Sequence, residues 1–341
     1  MSTGRRKVAV IGAGLQAGRR APAVAEDARF EIALVVDRHE DRAKKLASRF
    51  GAEAGTDWRV AVERADIEAL LVLTYPDSHA EISIAAFEAG KHVLCEKPLS
   101  FSDEEARRMI AAATKAKRVL KCGFNHRHHP AVKRAHELFA EGRIGKPTFG
   151  RGRYGIAGRE GLAKEWRSDP KVSPGGQLME QGVHLVDLFR WFFGDVAEVT
   201  GMMSTTFWPI APLEDNGFLL MKTDGGVVCS VHASLTQWIN LFELEVYGDK
   251  GSLRVEGLGA SYGVEKLVFS EHDANGPFAY HTTEYRGGDV SWKDEWAEFT
   301  RAIDGGVDPM GDGVDGLRAM QVVHGAYEAA KTGRTVRLDR A

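Results

Sequence analysis

Lys7-Val8-Ala9-Val10-Ile11-Gly12-Ala13-Gly14-Leu15-Gln16-Ala17 is the stretch that decides the fold. Its first five residues are mostly apolar and β-branched, and a short run of this kind reads as a buried strand. Gly12 permits a tight turn. Gly14 lets the backbone come close to a ligand. Ala17 takes the third position, where a small side chain allows helix and strand to pack, with Gly18 as an alternative. A helix follows, and its first N–H groups are free to meet phosphate. Residues 30–36 read as a second strand, ending at Asp37. A carboxylate about 20 residues beyond the glycines is placed for both ribose hydroxyls of an adenosine. Strand, turn, helix, strand and acid in this order predict a dinucleotide site formed by Gly12, Gly14, Leu15, Gln16, Ala17 and Asp37. Asp37 repels a 2′-phosphate and so favours NAD. Arg38 either stacks on adenine or pairs with a 2′-phosphate, which leaves NADP open.

Outward from this unit the alternation continues. Strands are expected at residues 69–73, 92–95 and 119–123, with helices at 41–50, 79–89 and 103–117. Gly90 is a C′ glycine, and Ser102-Asp103-Glu104-Glu105 opens a helix with a capping box. Such alternation means a parallel sheet wrapped by helices. After a helix at 130–141 the pattern changes. Strand-like segments at 148–154, 196–206, 217–222, 227–234, 242–247, 252–255 and 266–270 are interrupted by one helix at 177–193. Turn signals at 223–226 and 248–251 mark hairpins. The expected architecture is an α/β Rossmann domain with a parallel sheet at residues 1–123. An α+β domain with a large, mainly antiparallel open sheet follows at 124–341. The last helices are expected at 294–303 and 315–331.

The 341 residues are 43% hydrophobic and 27% charged, with a net charge of −3. This is the composition of a soluble globular protein of two domains. It calls for neither nucleic acid nor a membrane as partner. Arg5 and Arg6 resemble a twin-arginine start, but the apolar run behind them is short and enters the glycine turn, so no export signal is read. Cys95, Cys122 and Cys229 form no CxxC and read as small buried residues, in keeping with a cytoplasmic location.

Val93-Leu94-Cys95-Glu96-Lys97-Pro98-Leu99 carries the chemistry. An apolar strand delivers Lys97 to its carboxyl end, where open α/β sheets bind ligands, and Pro98 stops the ladder. In the helix at 177–193, Glu180 and His184 are four apart and share a face, with Asp187 near it. The helix is rich in Leu, Val and Phe, and a buried polar face needs partners. Thr74, Tyr75, Pro76 and His79 follow a strand at the carboxyl edge and are expected to line the nicotinamide pocket; His79 is equally read as a surface residue at a helix start. Glu96 and Asn125 sit at strand ends on the same side. Asn125 and Arg127 are placed for nicotinamide ribose or substrate hydroxyls. Tyr154, Trp166 and Arg167 are assigned to a loop over the substrate. Trp238 either stacks on a sugar face or serves as an interface aromatic. His126, His128 and His129 invite a metal reading, but their mixed spacing and the lack of a carboxylate or cysteine set argue against it.

The chain resembles the Gfo/Idh/MocA oxidoreductases, the family of glucose–fructose oxidoreductase and inositol dehydrogenase. The matching pieces are Gly12-Ala13-Gly14, Glu96-Lys97-Pro98, Gly123-Phe124-Asn125-His126-Arg127, Glu141-Gly142-Arg143-Ile144-Gly145 and the helix start at 175–187. The resemblance implies NAD(P)-dependent hydride transfer at a secondary alcohol of a sugar, polyol or sugar derivative, nucleotide-linked sugars included. It also implies a homodimer or homotetramer assembled through the C-terminal sheet. His184 matches the family's catalytic histidine. Glu180 stands where the family commonly has Asp, so it either contacts substrate or only orients the imidazole. The expected roles are His184 as acid/base, Lys97 as electrostatic stabiliser and relay, and Glu180 as orienter, with Lys97 and His184 exchanged as the nearest alternative. Two other readings are a bound-NAD lyase or epimerase acting by transient oxidation, and a non-catalytic NAD-sensing regulator.

Overall fold

A computed structural model describes residues 4–273, 275–277 and 279–338. The chain divides into two compact units. The first takes the chain up to Asn125 together with Trp292–Leu317, and the second takes His126–Ser291 and the chain from Arg318 onward.

In the first unit the strands are β1 (Arg6–Ile11), β2 (Phe30–Val36), β3 (Glu53–Gly55), β4 (Ile67–Val72), β5 (His92–Cys95) and β6 (Leu120–Cys122). Between them run helices α1 (Leu15–Glu26), α2 (Glu40–Ala47), α3 (Arg59–Glu63), α4 (Pro76–Glu88) and α5 (Asp103–Ala116). The described residues of this unit form one sheet in the order β3-β2-β1-β4-β5-β6. Its pairs are parallel. The order reverses between β1 and β4, and this switch point opens a crevice at the strands' carboxyl ends. Arg6 lies inside β1, bonded to Glu68 and Asp304 at 2.6 Å each, so the second arginine of the apparent export motif is part of the sheet. The capping box expected at Ser102 is present, with Glu105 N–H donating to Ser102 Oγ at 3.3 Å.

Residues 292–317, expected within a second domain at 124–341, belong instead to the first unit. Helix α8 (Ser291–Gly305) carries Trp296 and Phe299 into the same core as Val8, Val10, Phe30 and Leu71. Trp296 meets Phe30 edge to face at 5.1 Å. Burial of two large aromatics outweighs their distance in sequence from the sheet.

The second unit contains α6 (Pro130–Ala140), α7 (Val183–Phe193) and strands β7 (Pro147–Ala157), β8 (Val196–Ser204), β9 (Asn216–Thr223), β10 (Val228–Ser234), β11 (Thr236–Gly248), β12 (Gly251–Glu256), β13 (Glu265–Glu271), β14 (Ala279–Tyr285) and β15 (Val336–Arg337). They form a nine-stranded sheet in the order β14-β13-β12-β11-β7-β10-β9-β8-β15. Among the described residues only β7 and β10 pair in parallel; the other neighbours are antiparallel. The chain then runs through α8 (Ser291–Gly305) and α9 (Gly313–Thr332). The turns expected at 223–226 and 248–251 join β9 to β10 and β11 to β12, the first closed by Gly226 N–H donating to Thr223 O at 2.9 Å. The helix expected at 177–193 begins differently. Residues Leu178–Gly182 form a π-helical turn, and only Val183–Phe193 is α-helical. Such wide turns recur at functional sites. No helix among the described residues is long and apolar enough to cross a membrane.

Candidate active site

The glycine turn of the first unit is a cradle. Gly12 has φ +98°, and a Cβ there would lie 2.6 Å from Leu73 O. No other residue type tolerates both conditions. Asp37 closes the turn from the end of β2. Its Oδ2 accepts from Ala13 N–H at 2.8 Å and its Oδ1 from His39 N–H at 2.9 Å. A hollow of about 270 Å³ lies over the turn, lined among others by Gly12, Gly14, Asp37, Arg38, Thr74 and Tyr75. Arg38 stacks on the Tyr75 ring at 5.0 Å. Ala17 is fully buried against the core, whereas Leu15 is exposed. Gln16 Oε1 is a buried acceptor with no hydrogen-bond partner among the described residues. An open Gly14, a carboxylate at the second strand and an unanswered amide oxygen at the helix head all suit a dinucleotide.

The Lys97 segment is held from beneath. Glu96 is buried and accepts from Arg20 Nε at 2.5 Å and from Lys97 N–H at 3.1 Å. Arg20 also bonds Glu295 and lies over the Trp292 ring at 4.7 Å. Glu96 is therefore an anchor of the loop. His79 is fully buried rather than on the surface. Its Nδ1 lies 3.0 Å from Pro98 O and its Nε2 3.2 Å from Thr74 O, and burial pushes its pKa down. It ties the loop after β4 to the loop after β5. Pro76 opens α4 and is buried, as is Asn125. Arg20 and Glu295 carried no sequence signal. Each is one charged residue on an otherwise ordinary helix, and only folding brings them together.

In the second unit, side chains from several elements meet at α7. His184 is 4% exposed, and its ring stacks on His126 with centroids 3.7 Å apart and planes 24° apart. His126 Nε2 and Tyr154 Oη are 3.1 Å apart. Tyr154 thus belongs to strand β7 and the interior, not to a covering loop. Arg127 is 3% exposed and gives a two-pronged ion pair to Asp187, at 2.9 and 2.6 Å. Its guanidinium thus has an internal partner, and the pair ties the segment after β6 to α7. His129 pairs with Glu265 at 2.9 Å. Among the described residues no group of three or more His, Cys, Asp or Glu is arranged to hold a metal.

Glu180 lies in the π turn and pairs with Arg167 at 3.2 Å. Arg167 also pairs with Glu165 and lies over the Trp166 ring at 5.2 Å, so the loop expected at this place is tied to the π turn. Trp238 is 57% exposed, has φ +62°, and sits in the irregular stretch of β11 between Thr236 and Leu241. Its ring meets Phe207 edge to face at 4.9 Å.

Glu214 is a further residue that sequence reading missed. It is buried and accepts from Gly176 N–H at 3.0 Å, Leu178 N–H at 2.9 Å and the Tyr327 hydroxyl at 2.8 Å. Burial pushes its pKa up while these donors hold it down. It serves the unpaired N–H groups at the head of the His184 helix.

Two family models match the chain in succession. Residues 6–124 match an oxidoreductase family with an NAD-binding Rossmann fold, and residues 132–254 match the GFO/IDH/MocA C-terminal domain. The chain belongs to the Gfo/Idh/MocA family of oxidoreductases. Among relatives of this Gfo/Idh/MocA protein is levoglucosan dehydrogenase of Pseudarthrobacter phenanthrenivorans, 34% identical over 187 residues, which are 54% of this chain and 48% of that protein. A 1,5-anhydro-D-fructose reductase of Ensifer adhaerens is 26% identical over 311 residues, covering 91% of both chains. A levoglucosan dehydrogenase structure in complex with NADH and L-sorbose is 25% identical, has a TM-score of 0.89, and covers 99% of this chain and 100% of that one. The Gfo/Idh/MocA protein binds NAD(P) through its first unit.

Proposed function

We propose that this Gfo/Idh/MocA protein moves a hydride between NAD(P) and a secondary alcohol of a sugar, anhydrosugar or polyol. The observation that carries the proposal is the buried His184, ring-stacked and fixed on a locked helix, in a chain whose first unit is an NAD-binding fold. Gly12, Gly14 and Asp37 hold the dinucleotide, with Gln16, Arg38, Thr74 and Tyr75 around it and Ala17 packing the helix against the strand beneath. When bound, the nicotinamide supplies the hydride acceptor or donor. His184 takes the hydroxyl proton during oxidation, since imidazole exchanges protons near neutral pH. Lys97 offers a positive charge to the developing alkoxide. Glu180, Trp166 and Arg167 form the wall that meets the substrate's other hydroxyls. The substrates for which two relatives are named, levoglucosan and 1,5-anhydro-D-fructose, make anhydrosugars the first compounds to try.

A screen of anhydrosugars, aldoses, inositols, sugar acids and nucleotide sugars, each with NAD and with NADP, tests the proposal. The expected result is cofactor reduction with a sugar-class compound, and faster with NAD because Asp37 repels a 2′-phosphate. Absence of turnover with every class would refute the proposal; a preference for NADP would mean that Arg38 governs the choice.

A second copy of this chain belongs, in the same proposal, on the open face of the nine-stranded sheet. Met202, Phe218 and Leu220 are exposed there around a hollow of about 630 Å³, flanked by the pairs Arg151–Glu245 and Arg153–Glu243. An apolar patch rimmed by charges of both signs is suited to an identical surface. Sedimentation should give a dimer or tetramer, and Leu220→Glu should shift it toward monomer. A monomeric parent protein refutes this assembly.

A further inference from the structure

We infer that the neighbouring carboxylates Glu214 and Asp215 are positioning residues for the substrate wall, each placing one partner of the Glu180–Arg167 pair. This rests on the reading of Glu180, Trp166 and Arg167 as the wall that meets the substrate's hydroxyls. Both carboxylates stand at the entrance to β9. Asp215 N–H donates to Ser204 O at the end of β8 at 3.1 Å, and Asp215 O accepts from Leu235 N–H, just past β10, at 2.8 Å. Glu214 and Asp215 are both buried, and their side chains serve different segments.

Glu214 holds the π turn. Gly176 N–H donates to its Oε2 at 3.0 Å and Leu178 N–H to its Oε1 at 2.9 Å. Gln177 N–H, between them, donates to Glu214 O at 3.0 Å. Three successive N–H groups at the head of the turn thus converge on one residue. The Tyr327 hydroxyl on α9 donates to Oε1 at 2.8 Å and fixes the carboxylate in turn. A Cβ on Gly175 would collide with that hydroxyl, and one on Gly176 with Glu214 O. Gly176 O accepts from Glu180 N–H at 2.9 Å, which carries the placement one turn on to Glu180.

Asp215 holds the other partner by a longer route. It accepts from the N–H groups of Thr206 at 3.1 Å, Phe207 at 2.8 Å and Trp208 at 3.0 Å. The turn fixed in this way presents the Trp208 indole, whose N–H donates to Leu235 O at 3.0 Å. The same oxygen accepts Gly158 N–H at 2.8 Å, at the root of the loop that carries Arg167. A Cβ on Gly158 would collide with the Trp208 ring. Further along the loop, Leu162 packs in one apolar cluster with Trp208, Ile210 and Leu235. Leu162 O accepts from the Ser168 hydroxyl at 2.8 Å, next to Arg167. Arg167 then reaches Glu180 at 3.2 Å. A partly exposed ion pair is weakly held by its own attraction, because two long side chains must be ordered to make it. With the backbone fixed on both sides, less ordering is left to do when substrate arrives.

The test is steady-state kinetics on the sugar that the parent protein turns over best. The variants are Glu214→Gln, Asp215→Asn, Glu180→Gln, and each of the first two combined with Glu180→Gln. Glu214→Gln and Asp215→Asn should each raise KM about tenfold, the equivalent of about one hydrogen bond to substrate. Their kcat should stay within about threefold of the parent, because lost uniform binding shows in KM. Neither residue touches His184, and its helix is held separately by Arg127 and Asp187 at 2.9 and 2.6 Å. On the Glu180→Gln background each carboxylate change should add less than about twofold, since residues acting through one contact are not additive. Parent-like KM in either folded single variant overturns the inference and leaves the wall standing. A rise that multiplies in full on top of Glu180→Gln also overturns it, because a merely structural residue acts independently of that contact. A parent protein that turns over no sugar removes the wall, and the inference with it. Should Glu214→Gln not fold, Tyr327→Phe takes its place. It removes one of the carboxylate's donors and should raise KM about threefold, with no further rise on Glu180→Gln.

Discussion

Lys97→Ala and His184→Ala each lower kcat by about 10²–10⁴-fold, the contribution typical of a single positioned proton-transfer group. NAD affinity stays near that of the parent protein, because neither side chain belongs to the glycine cradle or to the Asp37 end of the hollow. An interaction made in the transition state shows in kcat and kcat/KM, whereas one made equally in the ground state shows in KM. Steady-state kinetics with calorimetric NAD titration separate the two. Parent-like turnover in either variant removes that residue from the mechanism. Glu180→Gln divides the remaining roles. The Glu180–Arg167 pair ties the Trp166 loop to the π turn, so the expected change is a higher KM with the acid limb unmoved. A fall in kcat with the limb moving to lower pH would instead make Glu180 the orienter of His184, since loss of a nearby carboxylate disfavours the imidazolium.

Arg20→Met destabilises the first unit by about 3–5 kcal/mol near neutral pH, the cost of leaving buried charge without its partner. Arg20 lies between Glu96 and Glu295, and all three are buried. The loss should shrink in acid. Burial already pushes the Glu295 pKa up, against the pull of Arg20 and Lys121. Without Arg20 it rises further. A carboxyl whose folded pKa lies above its unfolded value is accommodated when protonated and becomes costly as pH rises through the folded value. Urea unfolding of parent and variant at pH 7 and at pH 5 should therefore show a smaller gap at pH 5. An equal gap at both values would mean that Arg20 acts through packing on Trp292, not through charge. Because Glu96 also accepts the Lys97 N–H, the folded variant should lose activity as well.

Much of this was readable along the chain because it depends on neighbours in sequence. A strand, a glycine turn and a helix are local, and the left-handed Gly12 together with the small Ala17 announce their own reasons. The alternation of strands and helices to residue 123 dictated a parallel sheet, and the turns at 223–226 and 248–251 dictated hairpins. Asp37, Lys97 and His184 were visible because each sits at a fixed offset from such a local feature. What the tertiary structure alone decided are the meetings of distant residues. Trp296 and Phe299 return to the first core, although nearly the whole second unit separates them from β1 in sequence. Arg127 meets Asp187, Arg20 joins Glu96 to Glu295, and His126 lies against His184. In each case the deciding quantity is the free energy of burying a charge, a ring or an unpaired hydrogen-bonding group. That quantity depends on what else is brought to the same place by the fold, and no spacing in the sequence records it.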